Sequence, residues 1–283
     1  MRLTREIIAA MQQLALEQRR LQGARAYWHV GDVAWGVRQH EGREDEWKIR
    51  LWVEGGQVVA WSWLKADGRA MLECQVHPEH MHLLDEVLDE PAARVAYAFE
   101  DDAAMRAALE RHGFTQPDEG AMHFNVCDLD ELPELPELPE GFRYRTVSDA
   151  DISERVAIHR DVWSRPDRPS RVTESSFAQV RAEWPYRESL DCAVEALDGR
   201  FAAYAVLWPD DANGVGELEP VGVREEFRRR GLGAAVCTYA LRRWYEEGGR
   251  QAIVYCVTEA ACGLYESIGF RRHASLVGYA RPS

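Results

Sequence analysis

Residues 225–236 read EEFRRRGLGAAV, three consecutive arginines followed by Gly-x-Gly, in a chain of 283 residues with a formal net charge of −14. The stretch before them, GELEPVGV, alternates as a strand does. The stretch after them, LGAAVCTYALRRWYEE, sets Leu232, Ala235, Val236 and Tyr239 on one helical face, with Arg242, Arg243 and Gly248 at its C-terminal end. Arg228, Arg229, Arg230, Gly231, Leu232, Gly233 and Ala234 therefore occupy a strand-to-helix turn. Unpaired backbone N–H groups and the positive end of the helix dipole face outward at such a place. Glycine admits a close approach and guanidinium forks add charge, so the chemistry is anion binding, suited to a phosphate or pyrophosphate. No Gly-Lys-Ser/Thr follows, which excludes a Walker A loop, and Val236 stands where a dinucleotide fingerprint needs its third glycine. The competing reading is a solvated basic turn that merely closes a tight connection.

A second group, HPEHMH at 77–82, brings His77, His80 and His82 to a spacing that could hold a divalent ion. It has no nearby cysteine and no evident further ligand, so a polar turn is the expectation and no metal is assigned. The six cysteines, Cys74, Cys127, Cys192, Cys237, Cys256 and Cys262, form no C-x-x-C pair, and reduced thiols are expected. The amino terminus lacks an unbroken apolar run and no eighteen-residue apolar stretch exists, so no membrane partner and a cytoplasmic location are expected. The acidic balance argues against a nucleic-acid partner, whose phosphates call for a broad basic face. It is compatible with a cationic substrate.

The elements that must position these residues come in two sets. Thr4 caps an amphipathic helix with Ile7, Ile8, Met11, Leu14 and Leu21 on one stripe. LDELPELPELPEG, 129–141, repeats Leu-Pro-Glu three times, an extended spacer between domains at 1–128 and 142–283. AALERHGF (107–114) before it matches GLYESIGF (263–270) after it, each preceded and followed by a strand, which points to a duplicated unit. Val76 to Phe114 spans 114 − 76 = 38 positions and Val223 to Phe270 spans 270 − 223 = 47. The nine missing positions fall where the second copy has its arginines and glycines.

Arg-x-x-Gly-x-Gly-Ala at 228–234 after a strand, with LYESIGF ending a later helix, resembles the GNAT superfamily of N-acetyltransferases. The two copies resemble its tandem form, with an architecture similar to mycothiol synthase. The resemblance implies an α/β fold of two GNAT-like domains, each a mixed, mostly antiparallel twisted sheet flanked by helices. It also implies acetyl-CoA as co-substrate, with its pyrophosphate on 228–234, and the amides of Val221 and Val223 along the pantetheine arm. By the same resemblance Glu217 stands at the general-base position. Glu219, two residues on, shares its sheet face, so either could take the proton, and both could equally be solvent-facing. Tyr265 matches the phenol that protonates the departing thiolate, against a plain packing role. The repeat sets Leu109 opposite it, so the first copy lacks both loop and phenol. Thr258 stands where many members have asparagine, which puts that cofactor hydrogen bond in doubt. Trp163, Asp167 and Trp184, on or near a polar connection at 161–177, are candidates for lining the site of a small cationic amine. The expected chemistry is direct transfer in a ternary complex by a monomer or homodimer. The rival readings are a non-catalytic acyl-CoA sensor and a polyanion-binding protein.

Overall fold

A computed structural model describes residues 3–66, 68–116 and 121–282. The first half contributes α1 (Arg5–Gln22), α2 (Val30–Arg38), β1 (Trp47–Glu54), β2 (Gln57–Lys65), β3 (Met71–Val76), α3 (Leu84–Leu88), β4 (Val95–Phe99), α4 (Ala103–Arg111) and β5 (Ala121–Asp128). The second contributes β6 (Phe142–Thr146), α5 (Ile152–Trp163), α6 (Glu174–Arg181), β7 (Asp191–Ala196), β8 (Phe201–Asp210), β9 (Val215–Val223), α7 (Leu232–Glu246), β10 (Gln251–Cys256), α8 (Glu259–Ser267) and β11 (Arg271–Ala280). After the extra strand β6 the order of the second half repeats that of the first, two helices, three strands, then helix, strand, helix, strand. Where α7 has fifteen residues, α3 has five and follows a 3-10 turn at Pro78–Leu83.

All described strands join one sheet in the order β1-β2-β3-β4-β11-β5-β10-β9-β8-β7-β6. Neighbours are antiparallel except β3 with β4 and β9 with β10. The last strands of the halves have changed places. β11 pairs with β4 from Leu276↔Phe99 to Ala280↔Val95, and β5 pairs with β10 from Gln251↔Asp128 to Cys256↔His123. The Leu-Pro-Glu stretch thus divides the chain but not the sheet. It lies extended against the second half, where the Tyr144 hydroxyl donates to the Pro136 carbonyl at 2.7 Å and Arg242 donates to that of Pro133.

Thr4 caps α1 through its hydroxyl, which accepts the Ile7 N–H, and Ile7, Ile8, Met11 and Leu14 are buried as their spacing requires. Leu21, expected on that stripe, is exposed at the helix end. Helix α2 packs on the second half's sheet. A Cβ on Gly31 would lie 2.4 Å from the Trp208 side chain of β8, so only glycine allows this approach. The polar connection expected across 161–177 instead turns into helix at Glu174, with the Thr173 hydroxyl accepting the Ser176 N–H. The expectation of reduced thiols fails for one pair. Cys256 at the end of β10 and Cys262 in α8 have Cα atoms 5.4 Å apart and form a disulfide. The other four cysteines are free.

Candidate active site

The arginine–glycine turn forms as its sequence requires. Arg229 (φ 60°) and Gly231 (φ 76°) both adopt left-handed backbone, which curls successive N–H groups into a concave nest at the start of α7. Positive φ at a non-glycine is uncommon and persists where the surroundings enforce it. Gly231 opens on free space, whereas a Cβ at Gly233 would lie 2.7 Å from Leu264 of α8. The first glycine serves the turn and the second the packing of α7 on α8. Arg228, Arg229 and Arg230 are exposed, and among the described residues no carboxylate forms an ion pair with them. Arg228 donates only to the Val223 carbonyl and Arg230 only to that of Glu226. Arg200 and Arg224 close by are both paired to acids. In so acidic a chain, three guanidiniums without an ion-pair partner among the described residues stand beside a nest, an arrangement suited to an external anion.

From the nest a cleft runs between β9 and β10. These parallel strands keep register only from Val215 to Glu217, then diverge. An extra residue in β9 against β8, between Leu218 and Val221, marks a bulge at Glu219–Pro220. Beyond it the Arg224 N–H donates to the Ala202 carbonyl of β8. By strand alternation the amides of Val223 and Val221 therefore point the other way, into the cleft. On the far wall Thr258 spends its hydroxyl as the cap of α8, accepting the Ala261 N–H at 3.2 Å. About two turns on, Tyr265 is buried with its ring edge-on to Phe270. Burial, with Cys237, Glu219 and Tyr204 nearby, holds its phenol well above the usual tyrosine range, so it carries its proton. Leu109, its counterpart, is fully buried in the core of the first half.

The two glutamates of β9 differ. Glu217 is 1% exposed, and neither carboxyl oxygen receives a hydrogen bond from a described residue. Its Oε2 lies 3.3 Å from Nδ1 of His29, the cap of α2. The other ring nitrogen, Nε2, is 3.2 Å from the Val215 carbonyl and must donate to it, so Nδ1 is an acceptor and already takes the Gly31 N–H. With that lone pair taken, Glu217 packs against the ring as a buried carboxyl with no hydrogen bond from it. Burial and the neighbouring Glu219 push its carboxyl up to about 8, while burial and Arg19 push His29 down to about 4. Both groups are neutral near pH 7. Glu219 is less enclosed, and the indole N–H of Trp208 donates to its carbonyl at 2.5 Å. Burial and Asp32 raise its carboxyl to about 7, and Lys65 opposes them.

Glu219 opens into a cavity of about 370 Å³ whose walls come chiefly from the first half, including Tyr27, Asp32, Trp35, Lys65 and Tyr97. Asp32 belongs to α2, where its carboxylate accepts the His29 N–H at 2.7 Å. Burial and Glu217 raise its own carboxyl well above the ordinary range. Lys65 pairs with Glu73. The residues expected to line an acceptor site from the sequence do not line this cavity. Trp163 donates its indole N–H to the Tyr204 hydroxyl at 2.7 Å and stacks on His159, with half its surface exposed. Asp167 lies exposed in the turn bridged by Arg165 and Arg168, and the exposed Trp184 only offers its carbonyl to Gln12. The first half's side chains were missed because Asp32 reads locally as the third residue of a capping box. A lone acid in an otherwise apolar helix, VGDVAWGV, was the available signal.

Residues 157–270 match the acetyltransferase (GNAT) family. The chain is 30% identical over 248 residues to a mycothiol acetyltransferase of Amycolatopsis mediterranei (strain U-32), covering 80% of this chain and 81% of that one. A second mycothiol acetyltransferase, from Saccharomonospora viridis, is 27% identical over 234 residues, or 77% of this chain and 76% of its own. Among solved structures, a tandem GNAT protein from the clavulanic acid biosynthesis pathway superposes with a TM-score of 0.67 at 16% identity, over 98% of this chain and 96% of that one. A GCN5-related N-acetyltransferase from Sphaerobacter thermophilus superposes with a TM-score of 0.65 at 20% identity, over 99% and 95%. No described helix is long and apolar enough to cross a membrane. With its nest, divergent strands and buried phenol, the chain belongs to the GNAT family of N-acetyltransferases, in its tandem two-domain form.

Proposed function

We propose that the chain moves an acetyl group from acetyl-CoA to the amine of a small cationic acceptor, directly and within one ternary complex. The observation that carries this reading is the position of Glu219, which shares one cavity with Asp32 beside the cleft of β9 and β10. Arg228, Arg229 and Arg230, with the backbone of 231–234, hold the pyrophosphate. The Val221 and Val223 amides receive the pantetheine arm and thioester, and Val221 stabilises the oxyanion as the carbonyl is attacked. Acetyl-CoA supplies the activated acyl group. Glu219, ionisable near neutrality and open to the cavity, takes the ammonium proton, while Glu217 stays behind it as a neutral acid against His29. Tyr265 returns a proton to the leaving thiolate. Cys256 is committed to its disulfide, which favours direct transfer over an acyl-cysteine at the end of β10.

Two carboxyls among aromatic walls suit an amine on a polar, ring-bearing body. The names of the relatives make a thiol-bearing amine of the mycothiol kind the first acceptor class to try. Calorimetric titration of acetyl-CoA into wild type and an Arg228/Arg229/Arg230→Ala variant tests the donor half. Three exposed charge-assisted contacts at about 1 kcal/mol each predict roughly 10²-fold weaker binding in the variant. Equal affinity in the two proteins would remove the arginines from the site. A panel of aminated sugars, polyamines and cysteinyl amines then tests the acceptor half, with acetylated product as the readout.

A further inference from the structure

Past β3 the first half has no arginine–glycine loop, and the turn Pro78–Leu83 stands in its place. This turn meets the tip of the β1–β2 hairpin, whose strand β1 ends at Glu54. One carboxylate oxygen of Glu54 lies 3.0 Å from Nδ1 of His80 and the other 3.2 Å from Nε2 of His82. The three ligand atoms all lie within 4.8 Å of one another. Donors bound to one ion by bonds of about 2.0–2.2 Å stand roughly 3–4 Å apart, so small side-chain shifts suffice to close around it. His80 keeps 25% of its side chain exposed, and its Nδ1 receives no hydrogen bond from a described residue. His82 and Glu54 are open to solvent, at 62% and 43%. His77 is otherwise engaged, since its Nδ1 accepts the Glu79 N–H and its Nε2 faces Glu17. The ligand absent from the local histidine motif is brought by the hairpin, from 26 residues upstream of His80 (80 − 54).

We propose that Glu54, His80 and His82 form a binding site for one divalent transition-metal ion, best suited to Zn²⁺, with its remaining position open to water. Two imidazoles and one carboxylate match a borderline dication, whereas Ca²⁺ and Mg²⁺ take oxygen alone. The ion ties the hairpin tip to the turn. It also places positive charge at the point after β3 that corresponds, in the second half, to the arginines after β9.

The test uses untagged full-length protein stripped with chelator and titrated calorimetrically with zinc chloride at pH 7.5. The expected result is one equivalent bound with a dissociation constant in the micromolar range. His80→Ala and His82→Ala should each weaken it at least about tenfold, because each removes one of three ligands. His123→Ala, a histidine on β5, which β3, β4 and β11 separate from the hairpin in the sheet, should leave it unchanged. His82 is exposed, so His82→Ala should melt like wild type in chelator, while excess zinc raises the midpoint of the wild type alone. No binding, affinity unchanged in His82→Ala, or binding lost in His123→Ala would each overturn the site.

Discussion

Glu219→Gln removes the proposed base while keeping its volume. Burial and Asp32 set the Glu219 carboxyl near 7. Between pH 6 and pH 8 its ionised fraction therefore rises from about a tenth to about nine tenths. The kcat/KM of the wild type should climb about tenfold over that span and then level off, because this parameter reports groups of the free enzyme. Glu219→Gln should lose about 10²–10⁴-fold at pH 8, the ordinary worth of a positioned base, and should lose that limb as well. Glu217→Gln is the matched control. Glu217 titrates near 8 and is mostly neutral at pH 7, and glutamine is its neutral isostere against His29. Its kcat/KM at pH 7 should stay within about tenfold of wild type. The assay follows acetylated product by chromatography from pH 5.5 to 9, using the best acceptor of the amine panel below its KM. A limb that survives in Glu219→Gln belongs to the amine itself and refutes the assignment. A larger loss in Glu217→Gln would exchange the roles of the two glutamates.

Tyr265→Phe should lower turnover by about 10²-fold and leave the calorimetric affinity for acetyl-CoA unchanged; weaker binding would make the residue a packing group. Burial makes Glu217 a stability liability that depends on pH. Its carboxyl titrates near 8 in the fold against an ordinary 4.5, so the folded chain holds a proton that the unfolded chain releases between those values, and stability falls as pH rises through that window. Glu217→Gln should therefore raise the melting temperature at pH 8 and change it far less at pH 4.5, and an equal change at both would contradict the shift. Ending the chain before β11 should unfold both halves, since that strand lies between β4 and β5; a soluble monomer with native circular dichroism would refute the exchanged pairing.

The parts of the site that one segment encodes were legible. The arginine–glycine turn needs only local backbone and charge, and the echo of AALERHGF in GLYESIGF sets Tyr265 opposite Leu109 from the sequence alone. What depends on the meeting of distant segments was not. β5 and β11 alternate alike, so nothing in their residue types says which penultimate strand each will join. Strand alternation set Glu217 and Glu219 on one face, and the bulge at Glu219–Pro220 then gave them different surroundings, one against His29 and the other on the cavity. The proposed acceptor side shows the same limit. Trp163 and Trp184 lie on or near the expected polar connection yet stand outside the cavity, while Asp32 enters it from the other half because Gly31 lets α2 settle on Trp208. That close approach gives a first half without the phosphate turn a part in the proposed site: its helix and strands build the cavity wall that faces Glu219. A glycine-to-valine change at Gly31 would lift that wall, and with it Asp32 and His29, while the nest of 228–234, which α2 does not build, stayed intact.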